Sequence, residues 1–331
     1  MTRGRVGASR HLPVRDAPTR LPASGGRVFV VVNPTARHAE AAVAELDRQC
    51  HLLGLPAARH LATTVHRPGC DQAREAVEAG ADLVVVIGGD GTVRQVVRVL
   101  AGTSTRLGVI PLGSGNVLAH NLGLVRLSLA QQVDTALTGP SVELDVGWAH
   151  LVTASGAEHD EPFLTMAGIG RDARSVAGAT HEAKMRLGWL AYAAAGLKEA
   201  LLPALRMSVR VDDEPEHTID TWTVLVGLTP AAPGRVVIHP DALVDDGLFD
   251  ILEVPIRHPA QWLSVALKGL VWHQASVAAL RNHTGRRVLV RPLQAQPVQV
   301  DGDVIRDVTA MAARIQERSL RVHVRDPEEP A

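Results

Sequence analysis

Two short runs of apolar residues mark the first third of the chain. Residues 28–32 (Val-Phe-Val-Val-Val) and 83–87 (Leu-Val-Val-Val-Ile) contain no polar side chain. Uninterrupted β-favouring runs of this length predict strands buried on both faces of a parallel sheet, because a strand with one wet face alternates apolar and polar residues. Between the two runs, apolar residues recur at helical spacing over about 37–53, a short strand is predicted near 57–62, and a helix is predicted over about 71–79.

The alternation of strand and helix continues further along the chain. A glycine-rich loop at 88–92 leads into a helical pattern, and the next strand, at 107–111, leads into a second loop at 113–116 and another helix. Strands and helices that alternate, with glycines at their junctions, indicate a doubly wound α/β domain, which we place over residues 27–141. In such sheets ligands bind outside the carboxyl ends of the strands, where both loops fall.

From about residue 142 the pattern changes to short strands separated by turn residues. Strands are predicted near residues 142–149, 163–168, 206–212, 219–228, 235–238, 248–254, 286–291 and 297–301. Two amphipathic helices are predicted near residues 182–202 and 259–278. We interpret residues 142–318 as a β-rich, sandwich-like second domain. The last strand, at 319–325, can return to the first domain.

Length and composition limit the classes of protein to which the chain can belong. The chain has 331 residues, of which 46 % are hydrophobic and 21 % are charged. A length above about 250–300 residues favours more than one domain, in agreement with the change of pattern. The formal net charge is −1, whereas a protein that binds nucleic acid over its surface is markedly basic. Nucleic acid is therefore excluded as a partner.

The termini, cysteines and histidines add further expectations. Residues 1–26 contain scattered arginines, glycines and prolines without an apolar segment, which predicts a disordered basic tail and not a secretory signal. Cys50 and Cys70 are expected to stay reduced in a cytoplasmic protein. The 15 histidines show no zinc-ligand spacing, so the sequence predicts no zinc site.

The loop at residues 88–92, Gly-Gly-Asp-Gly-Thr, is the first sign of chemistry. Glycines between a strand and a helix let the backbone approach a ligand and point amide groups at an anion. The loop matches neither the dinucleotide-binding nor the Walker pattern. Asp90 can hold a Mg²⁺ ion that bridges phosphates, or accept a proton from an attacking hydroxyl, and both are steps of kinase chemistry. The structural alternative is a tight turn with Asp90 as the helix N-cap.

A second loop, Gly113-Ser114-Gly115-Asn116, follows the next strand. Its two glycines flank a hydroxyl, and the Asn116 amide can donate to phosphate or ribose oxygens. Alone, this loop could equally be a capped turn. Two such loops on successive strands favour a phosphate site, because parallel strands bring their carboxyl ends to the same edge of the sheet.

These loops belong to a longer series of motifs. In chain order they are Asn33-Pro34, Gly88-Gly89-Asp90-Gly91-Thr92, Pro111-Leu112-Gly113-Ser114-Gly115-Asn116, Ala167-Gly168-Ile169-Gly170-Arg171-Asp172-Ala173, Pro240-Asp241-Ala242, Asp246-Gly247-Leu248 and Asp301-Gly302-Asp303. On this series the chain, from about Arg27 to Arg325, resembles the diacylglycerol kinase catalytic-domain family of bacterial lipid kinases. That family is similar to sphingosine kinases and, more distantly, to NAD kinases. The resemblance implies a two-domain NAD kinase/diacylglycerol kinase-like architecture with an N-terminal nucleotide-binding domain. It also implies transfer of the ATP γ-phosphate, with Mg²⁺, to a lipid hydroxyl.

The resemblance assigns roles to individual residues. The nucleotide would be bound by the two glycine loops and residues beside them: Asn33, Thr64, Gly88, Gly89, Asp90, Gly91, Thr92, Val93, Arg94, Gly113, Ser114, Gly115 and Asn116. An alignment shift of one residue would replace Thr64 by Thr63. A structural Mg²⁺ site would comprise the Asp246 carboxylate and the backbone carbonyls of Leu243 and Leu248, which are hard oxygen ligands suited to Mg²⁺. The alternative there is a plain β-turn.

The resemblance leaves two candidates for the catalytic base. The family's Asp-Gly-Glu motif reads Asp-Gly-Asp here, so Asp303 would be the base with a side chain one methylene shorter. A sphingosine-kinase-like interpretation gives that role to Asp90. We expect Asp303 to be the base and Asp90 to organise metal and phosphate. Arg94 and Gln95 stand where the family commonly has Asn and Glu, and with the shorter base they would affect catalytic efficiency and not the fold.

Three functions remain open from the sequence. The first is a lipid kinase, peripheral to the inner face of the membrane, that phosphorylates diacylglycerol or a related lipid. The second is a kinase for a small soluble acceptor such as NAD, and the motifs of the second domain count against it. The third is a non-catalytic regulator that binds nucleotide or lipid, motivated by Arg94, Gln95 and Asp303. The expected partner is a lipid at a membrane surface, and a homodimer is left open.

Overall fold

The computed structural model describes residues 26–171, 173, 204–232, 236–239, 241–254 and 281–326. Contacts divide the chain into two compact units: the first unit comprises residues 1–146, 243–246 and 317–331, and the second comprises 147–242 and 247–316. The predicted tail, apart from Gly26, and the predicted helices near 182–202 and 259–278 lie outside the described residues. Within the described ranges, no helix is long and apolar enough to cross a membrane.

Strands and helices alternate through the first unit, as the sequence predicts. Its strands are β1 (Val28–Val32), β2 (Arg59–Ala62), β3 (Leu83–Gly88) and β4 (Arg106–Pro111). Its helices are α1 (Ala39–Leu52), α2 (Cys70–Glu78), α3 (Asp90–Leu100), α4 (Val117–Asn121) and α5 (Leu129–Thr138), with a 3-10 helix at Leu124–Arg126. Two further strands, β5 (Ser141–Thr153) and β17 (Asp303–His323), each have residues in both units.

The sheet of the first unit is parallel and buried. Its strand order is β2-β1-β3-β4, and every residue of β1 and β3 is buried. Helix α1 packs with α5 and α2 packs with α3, each pair against the sheet. The end of β17 adds a fifth parallel strand, because Arg321 and Val322 pair with β4. The doubly wound α/β prediction is confirmed, and the carboxyl ends of β3 and β4 lie side by side.

The second unit is built from antiparallel strands. These are β6 (Glu158–Phe163), β7 (Met166–Gly170), β8 (Leu205–Val211), β9 (His217–Thr221), β10 (Thr223–Gly227), β11 (Ala231–Ala232), β12 (Val236–Val237), β13 (Phe249–Glu253), β14 (Arg281–Gly285), β15 (Arg287–Pro292) and β16 (Gln296–Val300), together with parts of β5 and β17. Two strand series diverge from β17: β16-β7-β10-β13-β14 on one side and β15-β8-β9 on the other. Apolar side chains from both series share one core, so the β-rich, sandwich-like prediction is confirmed.

Several predicted strands of the second unit have different bounds. The strand expected at 219–228 is broken at Trp222, because the Trp222 amide donates to the Val254 carbonyl (2.8 Å) outside the ladder. The strand expected at 319–325 is the end of the 21-residue β17. Strands β6 and β14 have no predicted counterpart, because they are mostly polar and solvent-exposed and so show no apolar alternation.

Candidate active site

The two glycine loops touch each other at the carboxyl edge of the parallel sheet. The Leu112 amide donates to the Gly88 carbonyl (2.8 Å), which joins the loop after β3 to the loop after β4. A Cβ atom added to Gly113 would lie 2.5 Å from the Gly89 Cα, and one added to Gly89 would lie 3.0 Å from the Gly113 Cα. Both positions therefore require glycine, because any side chain would push the two backbones apart.

Asp90 links the two loops through its side chain. It is the first residue of α3, and Gly89, in extended conformation, occupies the cap position. The Asp90 Oδ1 accepts the amide of Val117, the first residue of α4 (2.8 Å). A Cβ atom on Gly115 would lie 2.8 Å from the other carboxylate oxygen of Asp90. The alternative in which Asp90 is the N-cap of its own helix is wrong, because Gly89 occupies that position.

Asn116 shapes the second loop from within. Its backbone is left-handed (φ 46°), a conformation that asparagine tolerates better than most residues. The side-chain Oδ1 accepts the Gly113 amide (2.9 Å), and Nδ2 donates to the Gly113 carbonyl (2.7 Å). The predicted amide donor is thus engaged by its own loop. Ser114 and Gly115, at the tip of the loop, are exposed.

The other residues predicted to bind the nucleotide differ in how deeply they are buried. Asn33 follows β1, and its side-chain oxygen accepts the amide and hydroxyl of Thr35 (3.1 and 2.8 Å). Thr64 is exposed and its hydroxyl accepts the Arg67 amide (3.0 Å), whereas Thr63 is buried at the end of β2. Within the loop and first turn of α3, Gly91 is exposed, and three residues are buried: Thr92, Val93 and Arg94.

Asp303, the predicted base in the second unit, follows a tight hairpin turn. Asp301 and Gly302 have φ angles of 46° and 92°, and Val300 pairs with Asp303. Two left-handed residues in a two-residue hairpin loop form a type I′ turn, for which Asp-Gly is a preferred sequence. Asp303 is the first residue of β17 and is exposed. The turn therefore presents its carboxyl group to solvent.

Asp301 holds this turn in place. Its carboxylate accepts the backbone amides of Leu164 (2.8 Å), Thr165 (2.9 Å) and Met166 (3.0 Å), and also the Thr165 hydroxyl. The Asp301 amide donates back to the Met166 carbonyl (2.9 Å). No separate role for Asp301 was predicted from the sequence. The Asp-Gly pair signals a hairpin, but its partners lie at least 135 residues earlier in the chain and carry no local signal.

The predicted Mg²⁺ ligands lie within a short segment of the chain, residues 243–248. Leu243 and Asp246 belong to the first unit, and Leu248 belongs to the second. Asp245 is buried, with 4 % of its surface exposed, whereas Asp246 is half-buried. Gly247 has a φ of 73°, which favours glycine at this bend. Of the two adjacent carboxylates, Asp246 is the one that solvent reaches.

Asp145 fixes the preceding backbone within the first unit. This β5 residue is 2 % exposed, its amide donates to the Val244 carbonyl (2.8 Å), and its carboxylate accepts the Arg318 amide (2.7 Å). The turn that precedes Asp246 is therefore tied to β5 and, through Asp145, to β17. The sequence motifs did not point to Asp145, because it contacts the turn through its backbone amide.

Two family matches together cover most of the chain. The diacylglycerol kinase catalytic domain matches residues 27–149, which include both glycine loops and Asp90. The YegS C-terminal NAD kinase beta sandwich-like domain matches residues 165–324, which include Asp246 and Asp303. The first match ends at residue 149 and the second begins at residue 165, near the point where the chain passes from parallel to antiparallel strands.

Curated relatives agree with these matches. A diacylglycerol kinase of Bacillus subtilis (strain 168) is 28 % identical over 284 residues, which are 84 % of this chain and 89 % of that protein. A diacylglycerol kinase of Mycobacterium tuberculosis (strain ATCC 25618 / H37Rv) is 31 % identical over 243 residues, which are 68 % of this chain and 72 % of that protein.

Solved structures share the fold. Crystal structures from Bacillus anthracis str. Sterne solved under the name diacylglycerol kinase match 91 % of this chain, with TM-scores from 0.66 to 0.72 at 18–20 % identity, and the match covers 97–98 % of those chains. A yeast NADH kinase matches with a TM-score of 0.50 at 13 % identity over 95 % of this chain and 85 % of that chain. The sequence matches, supported by the shared fold, show that the chain belongs to the diacylglycerol kinase family, a family of lipid kinases.

Proposed function

We propose that the protein transfers the γ-phosphate of ATP to the hydroxyl of diacylglycerol or a related lipid, with Mg²⁺, at a membrane surface. The observation that carries this proposal is the pair of interlocked glycine loops in the first unit. Their backbones approach so closely that Gly89 and Gly113 have no room for a Cβ atom, and the Asp90 carboxylate fixes one loop to the start of the helix that follows the other.

The loops suit the phosphates of ATP for a physical reason. The first turn of α3 presents backbone amides, which favour an anion through their partial positive charge. The exposed positions of the two loops are small: Gly91, Ser114 and Gly115. A phosphate can therefore approach the backbone at these points. Asn116 and Asp90 would hold the loops in shape through the hydrogen bonds described above.

Mg²⁺ fits the oxygen ligands near residue 246. We infer that the half-exposed Asp246 carboxylate and the Leu243 and Leu248 carbonyls would hold the ion, because Mg²⁺ prefers oxygen ligands and one or two carboxylates. This ion would hold the bend at residues 243–248, and the Mg²⁺ that accompanies ATP would supply the positive charge on the phosphate oxygens. Asp145 would support this site by fixing the neighbouring Val244 carbonyl.

Asp303 is our candidate for the general base. Asp303 is exposed, and the adjacent turn is fixed by the Asp301 carboxylate. Asp90, by contrast, accepts the Val117 amide, and loss of this bond would weaken the link between the two loops. In the proposed reaction, the acceptor hydroxyl gives its proton to Asp303 as its oxygen bonds to the γ-phosphorus, and ADP leaves.

Relatives support a lipid acceptor over a soluble one. The curated relatives described above are named diacylglycerol kinases, and a further relative from Chromohalobacter salexigens, 32 % identical over 210 residues, is named a probable lipid kinase YegS-like protein. NAD is the alternative acceptor, because an NADH kinase shares the fold at low identity. A regulator without activity is the third candidate.

Phosphate transfer from labelled ATP to a panel of acceptors tests the proposal. Diacylglycerol, ceramide, sphingosine and NAD are each offered with the protein in mixed micelles, with Mg²⁺ present or removed by a chelator. The proposal predicts a labelled lipid, no labelled NAD, and loss of transfer when Mg²⁺ is removed. Labelling of NAD alone would contradict the lipid acceptor. ATP binding without transfer to any acceptor would favour the regulator.

A further inference from the structure

Three metal-ligating side chains converge in the second unit, away from the residues assigned to the proposed kinase site. They are His217, the first residue of β9, Glu253, the last residue of β13, and His283 in β14. Their ligand atoms all lie within 4.8 Å of one another. The Glu253 Oε1 lies 2.8 Å from the His217 Nε2 and 3.6 Å from the His283 Nε2. Among the residues that the structure describes, this is the one group of its kind.

The strand pairing explains why the three side chains meet. Strands β13 and β14 are antiparallel, with Ile251 opposite His283, so Glu253 lies two residues along on the same face as His283. His217 comes from β9, the last strand of the other series. The cluster therefore joins β14 and β9, which end the two strand series that diverge from β17.

Glu253 is the unusual member of this cluster. Its side chain is 1 % exposed, and its Oε2 is buried without a hydrogen-bond partner. The Nε2 of His283 is likewise buried without a partner. A buried carboxylate is costly unless it is neutralised and hydrogen-bonded, and the single hydrogen bond with the partly exposed His217 serves only one of its two oxygens. One cation bound by the three groups would neutralise the Glu253 carboxylate and give the His283 Nε2 a partner.

The donor set and spacing indicate a zinc-type ion. Two imidazole nitrogens and one carboxylate suit Zn²⁺ and related transition metals, whereas Mg²⁺ prefers oxygen ligands. Metal–donor distances of about 2.0–2.1 Å place tetrahedral donors about 3.3 Å apart. The two measured separations, 2.8 and 3.6 Å, lie on either side of this value. His217 and His283 are each about a third exposed, and a water molecule would complete a tetrahedral set of four ligands.

We propose that His217, Glu253 and His283 bind one Zn²⁺ ion, which links the end strands of the two series in the second unit. This site is independent of the Mg²⁺ required for the proposed phosphate transfer. Because its ligands come from three strands that are distant in sequence, the ion would act as a cross-link that stabilises the sandwich.

Metal titration of the full chain tests this proposal. The protein is freed of metal with a chelator, dialysed and titrated with Zn²⁺ by calorimetry, and with Co²⁺ by visible absorption. The proposal predicts one tightly bound Zn²⁺ per chain, a rise in the melting temperature of several degrees, and the intense visible bands of tetrahedral Co²⁺. Excess Mg²⁺ should not displace either ion. No Zn²⁺ uptake at micromolar concentration, or Co²⁺ spectra of a fully hydrated ion, would overturn the proposal.

Single substitutions locate the ion. Glu253→Gln keeps the shape of the side chain but removes its charge, and we expect it to weaken Zn²⁺ binding by at least about 10²-fold, as should His217→Gln and His283→Gln. The matched control is His150→Gln, since His150 also faces a carboxylate, that of Asp160 at 3.0 Å, but in an exposed pair. The control should bind Zn²⁺ like the unmodified chain. Equal binding by Glu253→Gln and the unmodified chain would contradict the assignment, whatever the stability of the variants.

Discussion

The two units position their candidate aspartates by opposite means. In the first unit, Asp90 is itself a structural link, because its carboxylate accepts the Val117 amide and so joins two glycine loops. In the second unit, Asp303 is exposed, and a different aspartate, Asp301, fixes the turn that precedes it. A carboxylate that holds the backbone together has less freedom to take a proton from a substrate. This contrast is the basis of our proposal that Asp90 organises the phosphate loops and that Asp303 takes the proton.

The backbone beside each aspartate is also held in place by opposite means in the two units. The loops of the first unit depend on the absence of side chains, because Gly89 and Gly113 touch through their backbones. The turn of the second unit depends on the presence of one, because the Asp301 carboxylate accepts four hydrogen bonds from residues 164–166. The first arrangement should break when an atom is added, and the second should break when atoms are removed.

The largest effect should come from removing the Asp301 carboxylate. Asp301→Ala would leave three backbone amides and a hydroxyl without their acceptor, and we expect a loss of about 4 kcal/mol in the free energy of unfolding, measured by urea titration. The matched control is Asp307→Ala. Asp307 has a left-handed backbone like that of Asp301 (φ 57° against 46°), but its side chain is exposed. Both variants pay the backbone cost of alanine, so equal losses would show that the carboxylate contributes nothing.

Acid should weaken both units through one buried histidine each. Burial lowers the pKa of His239, in the second unit, from 6.5 to about 4. Burial likewise lowers the pKa of His323, in the first unit, to about 4, with a further decrease from the charge of Arg106 and an opposing effect of the hydrogen bond to the Ala136 carbonyl. The unfolded chain therefore binds more protons between about pH 6.5 and 4, and the folded state loses stability as the pH falls through this window.

The size of this acid effect can be measured by substitution. A pKa lowered from 6.5 to about 4 corresponds to a loss of about 3 kcal/mol for each histidine between pH 7 and pH 4. We expect His323→Gln and His239→Gln each to remove its share of the pH dependence of urea unfolding, although each lowers stability at pH 7. His51→Gln, at an exposed position, is the control. An unchanged pH dependence in both buried variants would show that neither histidine stays neutral in the folded protein.

A smaller effect is expected from adding one methyl group to the first unit. The new Cβ atom of Gly113→Ala would lie 2.5 Å from the Gly89 Cα and 2.8 Å from the Asn116 Oδ1, so the loops must separate. A shift of about 1 Å at a tightly positioned site costs about 10²-fold, and we expect ATP affinity and turnover to fall by this factor. Gly123→Ala is the control: its φ of 75° strains the backbone, but nothing lies within 4 Å of the new atom. It should lose stability and keep ATP affinity, and equal ATP affinity in both variants would contradict the contact between the loops.

The sequence was most informative where the fold depends on local patterns. The apolar runs at 28–32 and 83–87 predicted the buried parallel strands, and the glycines after them predicted the loops. It was least informative where exposed polar strands are held by pairing alone, as in β6 and β14. Such strands show no alternation, so their existence follows from neighbours that are distant in the chain.

The candidate site residues likewise fall into two groups, those with a local sequence signature and those that depend on distant partners. The glycine loops and the Asp-Gly turn at residues 301–302 have local signatures. The partners of Asp301 lie at least 135 residues away, and His217, Glu253 and His283 come from three strands whose proximity follows only from the sheet order. The spacing of histidines therefore predicted no zinc site, although three strands bring zinc-type ligands together in space.

The different roles proposed for Asp90 and Asp303 can be tested by measuring ATP affinity and turnover in the same variants. We predict that Asp303→Asn binds ATP within about twofold of the unmodified chain and loses at least about 10²-fold in kcat for diacylglycerol phosphorylation, since general bases contribute about 10²–10⁴-fold. We predict that Asp90→Asn loses ATP affinity as well as turnover, because the loops lose their charged link. Full activity of Asp303→Asn, or a loss of its ATP affinity equal to the loss of turnover, would contradict the assignment of Asp303 as the base.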